Sequence, residues 1–294
     1  LSIDRVLLIC LILAAQSLFA STKTASLRYL PNTPVHLASD LKLDISQSLP
    51  GLSLSTKGVQ RLEADLTLRN EQPEPSSSVL PLNLTFVLKK LSIDLQANDE
   101  TLTFRSDEAG TSLYLTQLSK LIDRPIQLKL DRHFQLSRDN EELRRAVSEL
   151  PVLAEMNPDH LLVELFSSVF VPGNQELSVG QVIRKDLSDW EIPSLPKEVV
   201  YTITKIDDYS VYAEICGEIE KKKFQLSGEV VIGGKGESVA AALSGLMEGK
   251  VKWNRDNAML YELELNYSYS TRLQLASWDW LMNVSLNLHN KTIP

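Results

Sequence analysis

At 294 residues, with 43% hydrophobic and 23% charged side chains, the chain is long enough for one large domain or two small ones and apolar enough to bury a core. Its net charge of −8 and pI near 5.2 argue against nucleic acid and anionic membrane surfaces as main partners. Binding phosphates by releasing counterions needs clustered Lys and Arg. The one dense basic run, Lys221-Lys222-Lys223, reads as a solvated hairpin end.

Arg5, the apolar run Val6 to Ala15 and the exit Ser17-Leu18-Phe19-Ala20 predict a Sec-type signal peptide over residues 1–20. The apolar run is short of the ~20 residues a membrane-spanning helix needs. An exported, periplasmic or cell-envelope protein, soluble after cleavage, is the expectation. Cys10 lies within that run, so the mature chain would hold Cys216 alone, which is expected to be a small buried apolar group.

From Val35 onward the pattern has period two. Leu41, Leu43 and Ile45 alternate with Lys42 and Asp44, and Leu62, Ala64, Leu66 and Leu68 alternate with Glu63, Asp65, Thr67 and Arg69. These are strands of a sheet with one wet face. The stretch 70–78 (NEQPEPSSS) reads as a loop, residues 80–95 give two more strands, and Asn98-Asp99-Glu100 turns the chain into Leu102-Thr103-Phe104. Short loops between successive strands imply an antiparallel meander.

Leu113, Leu115, Leu118, Leu121 and Ile122 then suggest a helix that Pro125 ends, followed by a strand pair or an extended connection from Ile126 to Leu136. A second helix is expected over 137–154. A third, opened by Asp159, carries a wide apolar stripe of Leu161, Leu162, Leu165, Phe166, Val169 and Phe170, and stops at Pro172-Gly173. The second half returns to alternation over Val199 to Lys205, Val211 to Ile219 and Phe224 to Ile232, with a turn at Asp207-Asp208. Ala240 to Met247 fits a short helix or a small-residue strand. Gly249 to Trp253, Ala258 to Tyr269 and Leu273 to Leu288 complete the strands, with Asn254-Arg255-Asp256-Asn257 as a hairpin turn.

The expected fold is therefore mainly β (α+β), with curved antiparallel sheets packed against two or three helices. Its parts are a signal peptide (1–20), an N-terminal β lobe (21–136), a helical connector (137–196) and a C-terminal β lobe (197–294).

Chemical motifs are sparse. His36, His133, His160 and His289 lie in separate segments with no metal-ligand spacing, so no metal site is expected. The stretch 233–238 (GGKGES) lacks phosphate-loop spacing, and no cofactor is expected. Asp207-Asp208 reads as a turn, and Glu262 with Glu264 as one solvated strand face, so acid/base chemistry by a hydrolase is the weaker alternative. Tyr267 and Tyr269 share one strand face, as do Trp278 and Trp280. With Leu162, Phe166 and Val169 they are the candidate lining of a site for a lipid or other hydrophobic ligand. An envelope protein partner, with no ligand cavity, is the other expectation.

The segments 161–190 (LLVELFSSVFVPGNQELSVGQVIRKDLSDW), 201–219 (YTITKIDDYSVYAEICGEI), 224–234 (FQLSGEVVIGG) and 253–265 (WNRDNAMLYELEL) resemble a family of exported bacterial β-rich domains of unknown function. The stretch 84–110 is similar to that family's strand, turn, strand and Ser-Asp stop, so the resemblance runs from Leu27 to Leu288. Gln181 stands where the family carries Asp, and Trp190 is displaced from its usual place. The resemblance implies an envelope location and a β-rich fold, and it brings no catalytic residues.

Overall fold

The computed structural model describes residues 24–26, 34–49, 51–70, 82–108, 117–130, 141–142, 145, 176–188, 195–232, 235–256, 260–274 and 279–293. The expected signal peptide and the expected helix from Asp159 lie outside them.

Thirteen strands are described. They are β1 (Thr24–Ser26), β2 (Pro34–Leu49), β3 (Leu52–Asn70), β4 (Leu82–Ala97), β5 (Glu100–Arg105), β6 (Pro125–Leu130), β7 (Glu176–Ser178), β8 (Val182–Asp186), β9 (Glu198–Ile206), β10 (Ser210–Ile232), β11 (Lys235–Asn254), β12 (Leu260–Gln274) and β13 (Asp279–Ile293). Eleven make one antiparallel sheet in the order β5, β4, β3, β2, β13, β12, β11, β10, β9, β8, with β6 paired to β4 beyond the reach of β5. The first long strand and the last lie side by side at its centre, with Leu43 opposite Leu286 and Ile45 opposite Val284. A two-stranded ribbon of β1 and β7 stands apart from the ladder, and its Ala25 and Leu177 are buried in the same core as the sheet.

The expected α+β packing is overturned: among the described residues no helix packs against the sheet. Where a helix was expected to end at Pro125, the described residues make a 3₁₀ turn over Gln117–Leu121. The physical reason is competition for backbone groups. The Asp123 N–H donates to the Leu88 carbonyl at 2.8 Å, Ile122 bridges Leu88, and Pro125 opens β6 against β4. A segment whose backbone is already bonded to a strand cannot also close α-helical turns. Of the helix expected over 137–154, Glu141, Glu142 and Arg145 are described; all three are helical and exposed, and the Glu142 carboxylate accepts the Gln127 N–H at 2.9 Å.

Ala240 to Met247, open between helix and strand, belongs to β11, a single 20-residue strand that continues through Trp253. Other local expectations are revised. Lys221-Lys222-Lys223 is no hairpin end: it lies inside β10, at a register shift between Ile219 and Lys222. Cys216 is exposed, because it falls on the outward parity of β10 between buried Ile215 and Gly217. The last break falls between Gln274 and Asp279, so Leu273 and Leu288 lie on different strands.

The turns follow their side chains. Asn98, at φ 52°, turns β4 into β5, in a conformation Asn tolerates. Between β9 and β10, the Asp207 carboxylate accepts the Tyr209 N–H at 3.0 Å, the Ser210 N–H at 2.7 Å and the Tyr212 hydroxyl at 3.0 Å. Arg255 donates to the Asp207 carbonyl at 2.8 Å, which clips the β11 to β12 hairpin onto this turn. The Tyr209 amide, with the Tyr212 and Ser210 donors, holds the Asp207 carboxyl below its ordinary value of 3.8. Its stabilising effect is therefore full above that value and fades as pH falls through the lower, folded-state one. Asp207→Asn will lower urea stability at neutral pH, and the gap to the parent protein will close in the most acidic range. A gap that does not change with pH would show that charge plays no part.

Candidate functional site

The two faces of the sheet differ as period two requires. Inward positions are mostly apolar: Leu37, Leu41, Leu43 and Ile45 on β2 lie opposite Thr292, Leu288, Leu286 and Val284 on β13, and between them the buried polar pair Ser39 and Asn290 face each other. Outward positions carry charged and small polar groups.

Burial along the inward face is graded. At one end, where β1, β6 and β7 lie, Leu66, Leu84, Leu128, Tyr201, Val211, Trp253 and Leu263 are each at most 2% exposed. Toward the other end, Leu41, Leu43 and Ile45 of β2, Met282, Leu286 and Leu288 of β13, and Tyr269 and Leu273 of β12 are only half-buried. The sheet thus presents a sealed core that passes the buried polar pair Ser39 and Asn290 into a half-buried apolar strip, in which Val284 is the buried member.

Of the residues singled out as a ligand lining, Leu162, Phe166, Val169 and Trp278 lie outside the described residues. Tyr267, Tyr269 and Trp280 all fall on the inward face. Tyr267 is buried at 6% exposure, against Met247 on one side and Leu286 on the other in the ladder. The Tyr269 ring stands 5.6 Å from that of Tyr267, tilted by 50°. Trp280, opposite Leu273, is half-buried, and its indole N–H has no hydrogen-bond partner among the described residues. Tyr267 and Tyr269 therefore stand where core and strip meet, and Trp280 at the far end of the strip. The β2 and β13 contribution to the strip was missed, although Leu41, Leu43 and Ile45 show the same alternation.

The aromatic strand face is made possible by two glycines on β11. Gly245 lies opposite Tyr269 and Gly249 opposite Leu265. A Cβ on Gly249 would come within 2.3 Å of the Glu264 carbonyl oxygen. Small residues here let the neighbouring large side chains lean across the sheet.

Among the described residues, two shallow depressions lie on the outward face. One, of about 440 Å³, is lined by ion-paired groups: Arg61 with Asp40 at 3.0 Å and Lys90 with Asp107 at 3.0 Å, beside Arg105, which grips Asp94 at 2.8 and 2.9 Å. Lys90 holds the Asp107 carboxyl below the usual carboxylate range. These cations are neutralised within the protein, so the depression lacks the surplus charge that would attract an anion. The other, of about 620 Å³, is lined by Ser46, Ser244, Ser268, Ser270, Asn283 and Ser285, among others. The outward face also brings Glu262, Glu264 and His289 together across β12 and β13.

No family model matches the chain, and no curated protein matches it. No helix among the described residues is long and apolar enough to cross a membrane.

Proposed function

We propose that this chain is an exported periplasmic or envelope protein, non-enzymatic, that holds a hydrophobic ligand such as an acyl chain against the half-buried strip of β2, β13 and β12. The observation that carries this reading is the burial gradient on a single sheet face. A core side chain is normally covered along its whole strand, and a contiguous accessible apolar patch marks a surface that something else covers. The strip has the dimensions of a chain rather than of a compact molecule. From Leu41 to Ile45 it runs about 13 Å, at ~3.3 Å per residue, and three adjacent strands add about 10 Å of width at ~4.8 Å spacing. Each methylene withdrawn from water there contributes about 0.8 kcal/mol.

The protein purified from its own envelope is expected to carry lipid in native mass spectrometry. Leu43→Gln with Leu286→Gln, both on half-exposed positions, is expected to reduce the retained lipid at least tenfold while circular dichroism stays unchanged. A ligand-free mass with no lipid in the extract would overturn the reading. If a cross-linked envelope protein were instead found on the same strip, the partner reading would replace it.

A further inference from the structure

We propose that Glu262, Glu264 and His289 form a binding site for a divalent transition-metal ion on the outward face of the sheet, independent of the apolar strip on the opposite face. Spacing in the sequence cannot show it, since the histidine comes 25 positions after Glu264 and only the β12 to β13 register unites them. Glu262 and Glu264 are two residues apart on β12 and so point the same way. His289 stands directly opposite Glu264 in the ladder. One donor atom from each of the three residues lies within 4.8 Å of the other two, and His289 Nε2 is 3.3 Å from Glu262 Oε1. Two carboxylates alone would be a solvated acidic pair. The imidazole delivered by the next strand makes them a mixed nitrogen and oxygen donor set of the kind Zn²⁺ accepts, at about 2.0–2.2 Å per ligand.

A metal centre asks for movement of side chains only, because the three backbones are fixed by ladder hydrogen bonds rather than carried on loops. The neighbouring cations leave the carboxylates available. Lys252, opposite Glu262 on β11, places its ammonium over the Tyr261 ring at 4.2 Å and the Tyr212 ring at 5.3 Å. Lys250 faces Glu264 and Lys291 faces Glu262 in the ladder, yet neither pairing closes to a salt bridge among the described residues. Asp40, the β2 neighbour of His289, is held by Arg61 at 3.0 Å and is not counted as a ligand. Three protein ligands leave the remaining positions to water, so the site is open. The three lysines nearby set its affinity in a moderate range.

Isothermal titration of the untagged, metal-stripped chain with ZnCl₂ tests the assignment, with Co²⁺ absorption as a second readout of coordination. One equivalent is expected to bind, with His289→Ala and Glu264→Gln each weakening it at least tenfold. Cys216→Ser is expected to leave binding unchanged. All three positions are exposed, and unchanged thermal unfolding of the metal-free variants will confirm that they fold. Absence of saturable heat in the parent protein would overturn the site. So would equal binding by the parent and His289→Ala, or loss of binding in Cys216→Ser.

Discussion

Trp253→Ala will cost about 3–5 kcal/mol of folding stability, the range for removing a large aromatic side chain from a core. Trp253 is 0% exposed, faces Val211 across β10 and β11, lies opposite Leu260 on β12, and has the Tyr201 ring 6.1 Å away. Four strands meet on it, so the cavity left by alanine has rigid walls and cannot collapse. The indole N–H has no partner among the described residues, and an unsatisfied buried donor carries a penalty of about 1–3 kcal/mol. Trp253→Phe removes that donor while keeping an aromatic ring, and is expected to lose much less stability than the alanine variant. Equilibrium urea unfolding gives both values. Equal losses for the two variants would mean that the donor has a partner after all.

Gly245→Val will be destabilising by overpacking rather than by a cavity. A Cβ at Gly245 would stand 2.4 Å from the Ser268 carbonyl oxygen, 2.7 Å from Tyr269 Cβ and 2.8 Å from Ile219 Cδ1. Two of these atoms belong to the backbone or the root of a side chain, and the ladder pairing β11 with β12 prevents them from moving aside. Overpacked cores typically lose about 1–3 kcal/mol, and the rigid neighbours here put valine at or above the top of that range. Since the clash falls on Tyr269, the variant should also alter near-ultraviolet dichroism from the tyrosines before global unfolding. A melting temperature within a degree of the parent would show that the strands can separate locally at no cost.

The strands with strict alternation were legible from sequence, because one wet face and one dry face impose period two on Leu41, Leu43 and Ile45 and on Leu62, Ala64 and Leu66. The turns at Asn98, Asp207 and Asn254 were legible for a chemical reason: Asn and Asp carry their own hydrogen-bonding groups into a tight bend. Ala240 to Met247 was ambiguous because small residues satisfy a helix as readily as a strand. What decides them is Tyr269 and Leu265 on the next strand, which need the space that Gly245 and Gly249 leave. The helix expected before Pro125 failed because a local apolar pattern says nothing about which distant carbonyl will claim the Asp123 amide. For the same reason the Glu262, Glu264 and His289 grouping was hidden. It depends on strand register, which is a long-range property.

The pairing of β2 with β13 bears on the order in which the sheet can form. During synthesis β2 emerges with a bare edge, and the strand that covers it follows more than two hundred residues later. Contacts of such sequence separation form slowly, since the loop must close before they repay it. The centre of the sheet is therefore expected to close late in folding, after the local hairpins on either side of it. Until then β2 presents an unpaired edge, the kind of surface that favours pairing with another chain.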